Sequence, residues 1–211
     1  MQTGNREDYL INILRLSEEG GVVKTSKLAA IMDVSPASVT EMVRVLKEAG
    51  FVNYKKYQGV TLTEEGLAYA RNLRRKHHIM ERFLTDVLDV DHESAHEEAC
   101  RMEHSISDDS VNKICRIIGT KKDCDCDACN NPCDKEVKVS LLSDLKDGES
   151  GIISHLKCDD VQDLKQLIAI GFVPGREIIM KSVTDETVIV EISGEYVAIS
   201  SDLTSRVYLE E

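Results

Sequence analysis

The stretch Asp33-Val34-Ser35-Pro36 constrains this chain more than any other. Ser35 is a strong N-cap, and Pro36 stands at the first helical position, where a missing N–H costs nothing. A helix is therefore predicted to begin there and to run to about residue 49, where Gly50 ends it. Val39, Met42, Val43 and Leu46 give that helix one apolar stripe. Just upstream, Thr25 caps a second helical period over residues 26–32, with Leu28, Ala29 and Ile31 facing inward. Before it, Tyr9, Leu10, Ile13, Leu14 and Leu16 repeat at helical spacing until the Gly20-Gly21 pair. Residues 51–54 and 60–62 read as two short strands around Lys55-Lys56-Tyr57-Gln58-Gly59. Helix, helix, tight turn, helix and a two-stranded wing make a winged helix-turn-helix.

The exposed chemistry of the third helix suits duplex DNA. Its first turns present Ser35, Pro36, Ala37, Ser38, Thr40, Glu41 and Arg44. Small hydroxyl and apolar groups at a helix N-terminus allow close approach to base edges and thymine methyls. Arg44, Lys55 and Lys56 are placed to meet phosphates, with Lys24, Thr25 and Lys27 beside them. Charge is distributed accordingly. Residues 1–76 hold 12 Lys+Arg against 9 Asp+Glu (+3), and residues 77–211 hold 14 against 29 (−15), which sum to −12. A mildly basic head on an acidic body fits a head that touches a polyanion.

Past the wing, Thr63 is predicted to cap a long helix through about residue 89, followed by helices over 91–106 and 108–118. Cys100, Glu103 and His104 stand at i, i+3 and i+4, with His96 one turn before Cys100. On a continuous helix these share a face. A thiolate, a carboxylate and an imidazole converging on one point form a ligand set for a first-row transition metal. His77 and Glu81 repeat the i, i+4 spacing on the preceding helix. Cys115, beside Ile114 and Ile118, reads as core, and so does Cys158; His92 and His155 read as surface. Ala95, Ala99, Met102, Ile106, Val111 and Ile114 offer apolar surface for an isologous homodimer. No nucleophile–base arrangement, phosphate-binding glycine loop or substrate pocket is legible, so neither an enzyme nor a small-molecule substrate is expected. No apolar run approaches membrane length, and no signal-peptide core is present. The expected location is cytoplasmic.

From Asp8-Tyr9-Leu10 through residues 34–40 to Arg75-Lys76-His77, Glu81-Arg82-Phe83-Leu84 and residues 96–104, the chain resembles the iron-dependent repressor family, the diphtheria toxin repressor and manganese transport regulator type. Leu142-Ser143-Asp144-Leu145, Gly148-Glu149-Ser150-Gly151 and residues 167–175, with the β-rich tail, resemble the FeoA-like SH3 domain that many members carry. The resemblance implies a mainly α chain with a small β part. Its plan is a winged helix-turn-helix head over 1–62, a helical metal-binding and dimerisation domain over 63–118, a Cys-rich linker over 119–139 and an SH3-like β-barrel of five strands over 140–211. It also implies an effector site of Asp8, Cys100, Glu103 and His104, and a second site of His77, Glu81 and His96. Asp160 and Asp163 fall on the positions that supply barrel ligands in iron-type members. Operator DNA, bound by a homodimer when metal is loaded, is the implied partner, and genes for metal-ion uptake are the implied targets.

This chain departs from both branches of the family. Iron-type members usually have Met where it has Asp8, manganese-type members usually have Glu where it has Cys100, and the second acid of the manganese type is here Ile11. A thiolate is the softer donor, which favours Fe(II), with Mn(II) as the alternative. Cys124, Cys126, Cys129 and Cys133 have no counterpart in the resemblance. Four thiols in ten residues could close a Zn(II) site or hold an iron–sulfur cluster. Two further functions stay open on these grounds: a redox regulator acting through the Cys-rich linker, and an accessory protein of iron transport.

Overall fold

The computed structural model describes residues 3–119 and 138–210. Two compact units are present, one made of Met1–His78 and Glu98–Ile106, the other of Ile79–Glu97 and Ser107–Glu211.

In the first unit, α1 (Thr3–Gly20), α2 (Thr25–Met32) and α3 (Pro36–Glu48) precede a hairpin of β1 (Val52–Lys55) and β2 (Gly59–Leu62). One core joins them: Leu10, Ile13, Leu28, Val39, Val43, Leu46 and Val60 are all at most 1% exposed. Ser35 caps α3 with Pro36 at its start, as the sequence predicts. Thr25 does not cap α2. The extended residue there is Lys24, with no side-chain cap, and Thr25 is already helical. Ile31 is 47% exposed, not inward; of the eight residues of α2, Leu28 and Ala29 are buried in the core and Met32 packs against it. The wing is tied to the head by a bridge between Val23 and Val60.

Thr63 accepts from the Gly66 amide at the start of α4 (Glu64–Arg82). Gly66 has little choice of side chain, because a Cβ there would lie 1.9 Å from the Phe51 carbonyl oxygen. Gly66→Ala should force the hairpin and α4 apart and cost roughly 1–3 kcal/mol. An unchanged urea midpoint for that variant would show that this close approach does not constrain the head.

The second unit contains the end of α4, which widens into a π-helical turn at Phe83–Val87, and the beginning of α5 (His92–Met102). It continues through α6 (Asp108–Ile118), whose N-cap Ser107 accepts from the Ser110 amide. The strands β3 (Val139–Leu141), β4 (Ser150–Leu156), β5 (Glu177–Val183), β6 (Thr187–Ile192), β7 (Glu195–Ser200) and β8 (Val207–Glu210) form an antiparallel sheet in the order β3-β8-β4-β5-β6-β7. Among the described residues this sheet has six strands rather than the five expected, the short β3 pairing with β8. Helix α7 (Val161–Ala169) lies between β4 and β5. Arg82 donates to the carbonyls of Gly119 (3.0 Å) and Ile118 (3.4 Å), satisfying the end of α6. Lys165 of α7 is ion-paired with Asp89. Within this unit the sheet domain is thus docked on helical segments.

Cys115 and Cys158 are buried, as expected. His155 is not a plain surface residue: its ring stacks on Tyr208 at 4.4 Å between centroids. The apolar face expected to pair two protomers is partly consumed inside the chain, since Ala95, Ala99 and Val111 are each 0% exposed. Small apolar residues at helical spacing serve close packing within a chain as well as between chains. Only the structure separates the two uses.

Candidate metal centre

Helix α1 buries Tyr9, Leu10, Ile13 and Leu14, which turns Glu7 and Asp8 away from the core. Helix α5 ends at Met102 rather than at residue 106. The Glu103 amide still bonds the Ala99 carbonyl at 2.9 Å, and then Ser105 and Ile106 both return to the Met102 carbonyl. Glu103 and His104 therefore leave the helix in a turn.

The first unit brings one ligand atom each from Asp8, Glu103 and His104 within 4.8 Å of one another. His104 Nε2 is 3.1 Å from Asp8 Oδ1 and 3.4 Å from Glu103 Oε1. Glu103 is 4% exposed, and its second oxygen lies 2.9 Å from His77 Nδ1. Cys100 Sγ is 3.7 Å from that same His77 nitrogen. Cys100 thus sits with His77 rather than inside the Asp8 set. Glu103 stands between two groups, oxygen-rich on one side and nitrogen–sulfur on the other.

Burial pushes the Asp8 carboxyl above its ordinary value of 3.8; His104 opposes this, and Glu103 and Glu7 add to it. A carboxyl with a raised folded pKa stabilises the metal-free fold fully below 3.8 and loses that contribution as pH rises through the raised value. A divalent cation reverses this preference by favouring the carboxylate, so loading releases protons. Two carboxylates and an imidazole, one carboxylate almost wholly buried beside two histidines, fit a first-row divalent ion.

Glu7 is missed by sequence reasoning. Its Oε2 is 2.6 Å from His104 Nδ1, and Tyr69 donates to its other oxygen. Adjacent residues on a helix point about 100° apart, so its place beside Asp8 is no signal. In the second unit, His96 Nδ1 lies 3.3 Å from Glu81 Oε1. Asp160 accepts from the Gln162 amide at 2.8 Å as the cap of α7, and Asp163 is ion-paired with Arg206. Cys124, Cys126, Cys129 and Cys133 lie outside the described residues.

On the head, Ser35, Pro36, Ala37, Ser38 and Arg44 of the third helix, with Lys55 and Lys56 of the wing, are exposed, whereas Thr25 and Thr40 are half-buried. The Thr40 hydroxyl donates to the Pro36 carbonyl at 2.8 Å. Ser35 and Ser38 hydroxyls bond each other at 2.9 Å. Tyr57, at the wing turn with φ 68°, is 91% exposed and holds Lys56 Nζ 5.0 Å from its ring centroid.

Residues 1–60 match the N-terminal DNA binding domain of the iron dependent repressors, 63–130 their metal binding and dimerisation domain, and 141–211 the FeoA domain. An uncharacterized HTH-type transcriptional regulator of Methanocaldococcus jannaschii is 39% identical over 109 residues, covering 51% of this chain and 87% of that protein. The HTH-type transcriptional regulator MntR of Bacillus subtilis is 35% identical over 118 residues, 56% of this chain and 82% of that one. The chain belongs to the iron-dependent repressor family. It is a metal-dependent transcriptional repressor, of a family that is not enzymatic and that binds operator DNA and dimerises. The crystal structure of ScaR with bound Zn(II) shares the repressor's fold at a TM-score of 0.50 and 26% identity, over 98% of this chain and 99% of that one. Among the described residues of the repressor, no helix is long and apolar enough to cross a membrane.

Proposed function

We propose that the repressor answers to Fe(II), binding operator DNA as a cytoplasmic homodimer and controlling metal-uptake genes. The observation that carries the choice of metal is the contact of Cys100 with His77 beside the buried Glu103, which supplies a soft donor next to the oxygen-rich set. Asp8, Glu103 and His104 would hold one ion, with Cys100 and His77 as further donors. His77, Glu81 and His96 are kept as a second ligand set on the resemblance, supported by the 3.3 Å approach of His96 to Glu81, and Asp160 and Asp163 as barrel ligands on the resemblance alone. A bound cation supplies the positive charge that lets these carboxylates approach one another, and its preference for one arrangement of the protein is the switch. The Asp8/Glu103/His104 set, made only of oxygen and nitrogen donors, favours a second reading in which Mn(II) is the effector.

Duplexes selected from a random pool by metal-loaded protein, then titrated anaerobically, test both readings. Half-maximal DNA binding at lower free Fe(II) than free Mn(II) supports the first, and the reverse order supports the second. DNA binding that needs no metal contradicts both. Contacts to phosphate by Lys55 and Lys56 should make binding fall steeply with salt, and each Lys→Ala change should reduce the log–log salt slope by about 0.9. A slope that neither change alters would remove the wing from the DNA interface.

The four cysteines from Cys124 to Cys133 are proposed, on their spacing alone, to bind one Zn(II) or one iron–sulfur cluster. Equal metal content in wild type and a four-Ser variant, after anaerobic purification, would reduce them to reactive thiols.

A further inference from the structure

We infer that Glu7, held by Tyr69, is a positioning residue that orients His104 for the metal. The inference rests on the metal-site reading above and adds two residues to it. His104 offers two nitrogens to its surroundings. Nε2 faces Asp8 Oδ1 at 3.1 Å and Glu103 Oε1 at 3.4 Å, inside the ligand set. Nδ1 faces away from it, 2.6 Å from Glu7 Oε2. A carboxylate accepts from an N–H, so Glu7 favours the tautomer with the proton on Nδ1, and a cation entering between Asp8 and Glu103 would take Nε2.

Glu7 is itself constrained. Its side chain is 13% exposed, and Tyr69 donates its hydroxyl to the oxygen that His104 does not use. Tyr69 is 39% exposed, and its ring rests on one side against Phe51 at 5.2 Å between centroids. Three elements meet here: α1 brings Glu7, α4 brings Tyr69, and the turn after α5 brings His104. A carboxylate on the outer nitrogen of a metal-binding histidine fixes ring orientation and makes the inner nitrogen a better donor. Glu7 is not among the three residues whose ligand atoms cluster. Its place is behind His104.

Two readouts test this on the full-length protein: Mn(II) affinity, and the imidazole nitrogens of His104 by NMR in the Zn(II)-loaded protein. In wild type, Nδ1 should carry a slowly exchanging proton and Nε2 none. Glu7→Ala should lose that protected proton and weaken Mn(II) binding about 10- to 100-fold. Glu7→Gln, whose amide oxygen still accepts, should keep the proton and recover most of the affinity. Tyr69→Phe, which removes a single oxygen and keeps the ring packing, should weaken Mn(II) about 2- to 10-fold and speed the Nδ1 proton's exchange; it decides the question if Glu7→Ala does not fold. Wild-type affinity in both Glu7→Ala and Tyr69→Phe overturns the inference. So does a Glu7→Gln loss equal to that of Glu7→Ala with the Nδ1 proton retained, because Glu7 would then be a direct ligand. His104→Ala with undiminished Mn(II) binding would instead overturn the site reading itself.

Discussion

Replacing Glu103 by Gln should abolish metal-dependent DNA binding while leaving the fold in place. Glu103 is the one carboxylate of the site that is almost wholly buried, and it touches both His104 and His77. Gln preserves volume and an acceptor oxygen but removes the charge that a divalent ion needs. A lost ligand should weaken metal binding by at least the 10- to 100-fold typical of outer-shell changes, and on the order of 100-fold or more is expected. DNA affinity should fall correspondingly at fixed free metal, since metal and DNA binding are linked. Thermal unfolding without metal should change little, because the metal-free site loses a buried negative charge as well as a partner for two histidines. Calorimetric metal titration together with a DNA-binding isotherm checks both halves. A Glu103→Gln protein that binds metal and DNA like wild type would falsify the site assignment.

The second large effect expected is a change of metal. Cys100 is exposed, so Cys100→Glu should move stability by no more than about 0.5 kcal/mol. The substitution exchanges a soft donor for a hard one beside His77. Preference for Fe(II) over Mn(II) should shift toward Mn(II) by about 10-fold or more, equivalent to ~1.4 kcal/mol. Anaerobic binding of each metal to both proteins measures the ratio directly. An unchanged ratio would place Cys100 outside the metal's coordination and leave the oxygen-rich set to choose the ion alone. It would also turn the Fe(II) proposal toward the manganese reading.

Much of the head was legible because its signals are local. The Ser35-Pro36 start, the Val39/Met42/Val43/Leu46 stripe and the wing's two short strands depend on neighbours within a few residues, and the structure contains all of them. The chemistry of the site was legible as residue types: Glu103 and His104 lie together with Asp8. Asp8 itself came from resemblance rather than from spacing.

Distances between residues far apart in the chain came only from how the elements pack. Helical spacing put Cys100, Glu103 and His104 on one face; in the structure Cys100 and Glu103 both reach His77 Nδ1, while His104, beyond the end of α5 at Met102, joins Asp8. Glu7 and His104 are 97 residues apart, and nothing in the neighbourhood of either announces the other. Asp163 is engaged by Arg206, a pairing set by the sheet domain's own topology. Ala95, Ala99 and Val111 carry the same pattern whether they face a second protomer or their own chain, and here they face inward. The amino-acid sequence determined the elements, their caps and the donor types, because those depend on local backbone chemistry. Which donors meet, and at which atoms, was decided by where helices stop and how they pack.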